Sequence, residues 1–266
     1  MASGGTPVVF IHGLWLHADS WGPWVDRFRQ AGYAPTAPGW PGDADTVEET
    51  RQHPERVADY GINDVVEHYA QIIGKLDAKP IVIGHSFGGV MVQRLLGENH
   101  AAAGVAIDAA PIKGVVYLPP SALRVASVAL RNPANRKRAV SLTRDQFRYG
   151  FGNALSEEES DDLYDRWAIP SPGRTLFEAA SANLVPHSPA KVKTENATRG
   201  PLLLTAGGKD HTVPSAITRS TIKQYRKSAA VTDYKEFHDR GHTLALDSRW
   251  PEIADYVLGW LKRHSL

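Results

Sequence analysis

Cysteine is absent from all 266 residues. Disulfides, thiolate nucleophiles and cysteine-bound zinc are therefore excluded, and the redox compartment is left open. An excess of one charge is also absent. Lys and Arg total 30 and Asp and Glu total 29, a net charge of +1. That balance makes no electrostatic case for nucleic acid. No apolar run approaches the roughly 20 residues of a membrane span, so no membrane insertion is expected. The polar lead Ala2-Ser3-Gly4-Gly5 has no basic start and no apolar core, and it reads as no signal peptide. A cytoplasmic protein is the expectation. The histidines outside the elbow and its partner loops show no ligand spacing, and neither a metal nor a cofactor is expected. Internal repeats and low-complexity tracts are missing as well. Nothing in the chain indicates an oligomeric state.

What is present alternates. Pro7 to Ile11, Tyr33 to Ala37, Pro80 to Ile83, Gly104 to Ile107, Pro201 to Thr205 and Thr232 to Phe237 read as short strands. Helical spacing falls between them, at 20–31, at 61–76, after Ser86, at 214–227 and from Pro251 onward. The pattern predicts an α/β fold with a doubly wound, mostly parallel sheet. Residues 111–199 break the rhythm and show only helical segments. Ser156-Glu157-Glu158-Glu159 reads as a capping box that opens one of them. Residues 1–110 and 200–266 are thus expected to form the core, with 111–199 as an inserted helical cap.

The most informative stretch is Gly84-His85-Ser86-Phe87-Gly88, entered from a buried strand and followed by a helix. This G-x-S-x-G pattern describes a sharp turn that lifts a serine hydroxyl clear of the sheet. Gly84 and Gly88 leave room where side chains would collide. A serine alone is a weak nucleophile, so a base and an acid are required downstream. The elbow and strand order resemble the α/β-hydrolase family over nearly the whole chain. The resemblance implies the order nucleophile, acid, histidine, found here as Ser86, Asp210 in Gly-Gly-Lys-Asp-His-Thr-Val-Pro, and His242 in Arg-Gly-His-Thr. It also implies an oxyanion hole made by the amides of Phe87 and of Leu14, the residue after His12-Gly13. One such donor is worth about 3–4 kcal/mol in a transition state. Asp108, after the preceding strand, is the alternative acid. His85 is expected to point into packing and His12 to stabilise its loop.

The substrate pocket is less legible. Trp15 and His17 are expected at its mouth, with Tyr117, Phe147, Phe151, Trp167, Phe177 and Val213 as further lining. Trp21 and Trp24 read as core. Arg131, Arg136, Lys137 and Arg138 read as a solvated face. The short start and helical cap resemble the small esterase and hydroxynitrile-lyase branch. Thr243 stands where the lyases of that branch carry lysine, which argues against cyanohydrin cleavage. Ser86 argues against the aspartate-nucleophile epoxide hydrolases and dehalogenases. The expectation is a serine hydrolase that cleaves a small-to-medium carboxylic ester, or a lactone or thioester, through an acyl-Ser86 intermediate. Carbon–carbon bond hydrolysis and cofactor-free haloperoxidase or perhydrolase chemistry are the enzymatic alternatives. A hydrolase-like small-ligand receptor is the alternative of another class.

Overall fold

The computed structural model describes residues 5–266. Most of the polar lead lies outside the described residues. Six parallel strands form one sheet: β1 (Pro7–Ile11), β2 (Ala34–Thr36), β3 (Ile81–His85), β4 (Ala103–Ile107), and two later strands that follow a helical insertion. Between the early strands run α1 (Gly22–Gln30), α2 (Val47–Gln52), α3 (Ile62–Ile73) and α4 (Phe87–Gly97). The insertion holds α5 (Pro120–Leu130), β5 (Ala139–Val140), α6 (Arg144–Gly150), α7 (Glu157–Trp167), β6 (Ser171–Pro172) and α8 (Gly173–Ala180). The chain then returns to the sheet through β7 (Leu202–Gly207), α9 (Ser215–Gln224), β8 (Thr232–Phe237) and α10 (Trp250–Arg263). The spatial order is β2-β1-β3-β4-β7-β8.

Side chains of a strand alternate between faces, and both faces here are covered. Val9, Ile11 and Val82 join α3, α4 and the insertion in one buried cluster. Val8, Phe10, Ile81, Ile83 and Val105 join Trp21, Trp24, Phe28 and α10 in the other. Two covered faces explain why these strands read as unbroken apolar runs. Trp21 and Trp24 are fully enclosed, as expected of core residues.

Two local expectations need correction. The insertion does contain strand, because β5 and β6 pair antiparallel over two residues each. Ser156 caps α7 by accepting from the Glu159 amide at 3.2 Å, but the box is not reciprocal. The Glu159 carboxylate instead accepts from the Ser248 amide at 2.7 Å, tying α7 to the loop before α10.

The insertion is sewn to the sheet through the loop after β1. His17 donates its amide to the Trp167 carbonyl at 3.0 Å, and Ile169 donates to the Trp15 carbonyl at 3.2 Å. The Trp15 indole donates to the Val140 carbonyl at 3.0 Å. Arg51 on α2 adds bonds to the Ala168 and Tyr164 carbonyls at 2.8 and 3.0 Å. The crevice below lies where the strand order reverses, between β1 and β3, at the carboxyl ends of the strands. That is the usual ligand position in an open α/β sheet.

Candidate active site

Four strand ends deliver the site. Ser86 follows β3, Asp108 follows β4, Asp210 follows β7 and His242 follows β8. Ser86 holds φ 55° and ψ −118°, a conformation that costs energy for any residue but glycine. Its neighbours hold it there. The Ser86 amide donates to the Ile107 carbonyl at 2.9 Å, and the Ala110 amide donates to the Ser86 carbonyl at 3.1 Å. Clearance comes from glycine: a side chain at Gly84 would strike the Gly88 carbonyl, and one at Gly88 would strike the Ile11 carbonyl.

The Ser86 hydroxyl lies 3.0 Å from His242 Nε2, and His242 Nδ1 lies 2.6 Å from Asp210 Oδ2. Asp210 is oriented by its other oxygen, which accepts from the Thr212 and Val213 amides at 2.7 and 2.8 Å. These bonds fix Oδ2 toward the imidazole. Phe151 packs edge-on against the His242 ring, with centroids 4.8 Å apart. Hydroxyl, imidazole and carboxylate thus form one buried chain, with the imidazole held on both nitrogens. Such a chain can move a proton from a hydroxyl while an adjacent charge stabilises the imidazolium.

Asp108 lies in the same place with a different character. It is fully buried. Its Oδ1 accepts from the Gly207 amide at 2.7 Å, while Oδ2 has no partner. Burial first, and then the neighbouring Asp210 charge, hold its carboxyl well above the usual carboxylate range. A neutral carboxyl next to Asp210 is a poor partner for an imidazolium. His85, Asp108 and His242 bring ligand atoms within 4.8 Å of one another. Both His242 nitrogens are already engaged there, so that residue has no free lone pair for a metal.

Gly13 brings the first loop against Ser86. A Cβ there would lie 2.7 Å from the Ser86 Cβ and 2.9 Å from the His85 carbonyl. The Leu14 backbone therefore runs beside Ser86, across from the first turn of α4, where the Phe87 amide has no intrahelical partner.

Above Ser86 opens a cavity of about 260 Å³, enclosed by α5, α8 and the loops after β4 and β7. Of the residues expected in the pocket, Trp15 and Val213 line it. The others lie elsewhere. His17 is buried, bonded through Nε2 to the Ala44 carbonyl at 3.1 Å, and caps the turn at Asp19 through Nδ1. Phe147 stacks on Phe151 with centroids 4.9 Å apart, and both act as support behind His242. Tyr117 is exposed beside a shallow depression over the Asp210 loop. Trp167 packs under the Arg166 guanidinium at 4.8 Å. Phe177 is half-buried on α8 and away from the lining.

Sequence reasoning placed His85 in packing and passed over Arg240 and the alanines that shape the cavity. His85 donates through Nε2 to the His242 carbonyl at 2.7 Å. Burial, and then the charge of His242, hold it well below the usual histidine range, so it remains neutral. Arg240, also buried, pairs with Asp247 and with Glu252 and anchors the loop that carries His242. The alanines that shape the cavity carry no sequence signature. His85, adjacent to the serine at a strand end, was the one with a visible signal. His12 does brace its loop, with Nε2 2.9 Å from the Asp43 carboxylate, which also accepts from the Trp40 amide at 3.0 Å.

The model of the alpha/beta hydrolase family matches residues 8–256. No curated protein matches this sequence. The structure is similar to that of Paleococcus ferrophilus monoacylglycerol lipase at 21% identity and a TM-score of 0.67, aligning 98% of this chain and 97% of that one. It is similar to a methylesterase from Arabidopsis at 16% identity and a TM-score of 0.68, over 97% and 99% of the two chains. Polyneuridine aldehyde esterase is similar at 18% identity and a TM-score of 0.67, again over 97% and 99%. At these identities the likeness is one of fold.

Proposed function

The chain belongs to the alpha/beta hydrolase family, and from that premise we propose that it is a serine hydrolase cleaving a carboxylic ester through an acyl-Ser86 intermediate. The observation that carries this reading is the buried chain from Ser86 to His242 at 3.0 Å and on to Asp210 at 2.6 Å, opening into an apolar cavity. The similar structures named as esterases and a lipase agree with it.

The steps follow from proton accounting. Ser86 Oγ attacks the ester carbonyl while His242 Nε2 takes its proton. Asp210 Oδ2 accepts from Nδ1–H and stabilises the imidazolium. The Leu14 and Phe87 amides receive the developing oxyanion. Collapse expels the alcohol, protonated by His242. Water then attacks the acyl-enzyme with His242 as base, and Ser86 leaves with the returned proton. Residues 111–199 serve as the cap that closes the acyl pocket and excludes bulk water. The substrate is a small molecule, and the chemistry calls for no cofactor.

Rapid mixing with a p-nitrophenyl ester tests the reading. A burst of p-nitrophenolate equal to the enzyme concentration, lost in Ser86→Ala, is expected if acylation outpaces deacylation. Full turnover by Ser86→Ala would overturn the assignment.

A further inference from the structure

The cavity above Ser86 has almost no polar chemistry to offer a ligand. No Lys, Arg, Asp, Glu or His lines it. Its polar side chains are Ser86, Asn183 and Thr212, together with the Trp15 indole. Each of these but the serine makes a hydrogen bond to the surrounding backbone. The Asn183 amide donates to the Val115 carbonyl at 2.8 Å and accepts from the Gly114 amide at 2.7 Å. The Thr212 hydroxyl donates to the Gly150 carbonyl at 2.7 Å, and the Trp15 indole to Val140. A charged group in this space would lose its water and find no side chain of opposite charge. The space itself is made by small residues on facing helices, Ala122 and Ala126 on α5 and Ala179 and Ala180 on α8.

The surface outside continues the same chemistry. Seven large hydrophobic residues are exposed among the described residues, and six of them are Val116, Tyr117, Leu118, Leu123, Leu184 and Val185. Leu118 and Leu123 also line the cavity, so they mark where it opens. The remaining four sit on the flanking segments. Those segments are bound to each other by Asn183 and by Lys113, whose Nζ donates to the Pro186 carbonyl at 2.8 Å. Val116 is 79% exposed and Leu184 84%. A clustered apolar surface that leads into a binding cavity marks a ligand path more readily than scattered exposure does.

We propose that this site takes a neutral ester bearing one long apolar chain, seated between α5 and α8 with its far end against the Val116–Leu118 and Leu184–Val185 rim. The proposal rests on the serine-hydrolase reading and names its substrate class. An ester whose chain is short enough to end in a carboxylate, phosphate or ammonium inside the cavity is disfavoured by the same lining.

The test is kcat/KM across two series held below their micelle concentrations, p-nitrophenyl alkanoates from acetate to decanoate and n-alkyl acetates from ethyl to decyl. One series is expected to rise about fourfold per added methylene over at least four carbons, the equivalent of about 0.8 kcal/mol each. The p-nitrophenyl half-ester of adipic acid is expected at least about 100-fold below the hexanoate. Ala179→Phe should lower the octanoate-to-acetate ratio at least tenfold. Leu184→Asp, at the surface, should lower the decanoate-to-butyrate ratio and provides the same readout if the Ala179 variant does not fold. Flat series, or an adipate half-ester cleaved as well as hexanoate, would overturn the proposal while leaving the hydrolase reading intact. Failure of a fluorophosphonate to label Ser86, with no ester cleaved, would remove both.

Discussion

At the scale of single residues, two buried carboxyls compete for one imidazole, and their hydrogen bonds separate their roles. Asp210 has two amides on Oδ1 and aims Oδ2 at His242. Asp108 has one amide on Oδ1, an unpartnered Oδ2, and a carboxyl pushed up by burial and by Asp210 itself. Asp210→Asn is therefore expected to cut kcat by about 10⁴-fold, because the imidazole loses its tautomer and its counter-charge. Asp108→Asn should cost less than about tenfold, since an amide preserves the acceptor for Gly207 and mimics a neutral acid. Steady-state kinetics on both folded variants decides it, and the opposite ranking would move the acid to Asp108. His85 belongs at this scale too. Its replacement by Phe leaves the buried His242 carbonyl without a donor, at a cost of about 1–3 kcal/mol. The expected outcome is a lower kcat with a similar KM, partly restored by His85→Gln. Equal losses in the two variants would reduce His85 to mere packing.

At the scale of elements, the strength of each sequence signal tracks how many residues carry it. Strands β1, β3, β4 and β7 were legible because both of their faces are buried and they read as apolar runs, whereas the half-exposed β8 was legible from its alternation. The elbow was legible because steric collisions at Gly84 and Gly88 leave only glycine. Ser86, Asp210 and His242 could be named because each follows a recognisable strand in the order that the family resemblance implies. The β5–β6 pair was not, since two-residue strands have no period to detect. Nor was the cavity lining. Phe147 and Phe151 look like pocket aromatics in sequence, yet they stack behind His242, while alanines on α5 and α8 form the wall. The helix that carries Phe147 is set by its cap. Thr143 accepts from the Gln146 amide at 3.3 Å, and the Gln146 side chain accepts from the Thr143 amide at 2.8 Å. Thr143→Ala should destabilise the protein by about 1 kcal/mol. It should also loosen the Phe151 contact with His242, so kcat falls along with the urea midpoint. An unchanged midpoint would show that tertiary packing alone holds α6.

At the scale of the whole molecule, the same two buried groups shape stability against pH in opposite directions. Asp108 keeps its proton in the folded state and releases it on unfolding above its ordinary value of 3.8. Its contribution is complete below that value and is lost as pH rises toward the folded pKa. His85 is neutral when folded and takes up a proton on unfolding below its ordinary 6.5. Its contribution is present above that value and is lost as pH falls. Each has a limiting slope of about 1.4 kcal/mol per pH unit. From about pH 4 to 6.5 the two oppose one another. Asp108→Asn should therefore gain stability relative to the parent as pH rises, and His85→Gln should flatten the acid side. Denaturant unfolding over this range checks both, and parallel curves for parent and variants would refute the linkage. Four strand ends and the first loop meet around Ser86 and His242. The most direct measurement is mass spectrometry of the intact and digested protein after treatment with a fluorophosphonate probe. One adduct per chain on the peptide holding Ser86, absent from Ser86→Ala and strongly slowed in His242→Ala, is the predicted result. An unlabelled protein, or an adduct on another residue, would contradict the account.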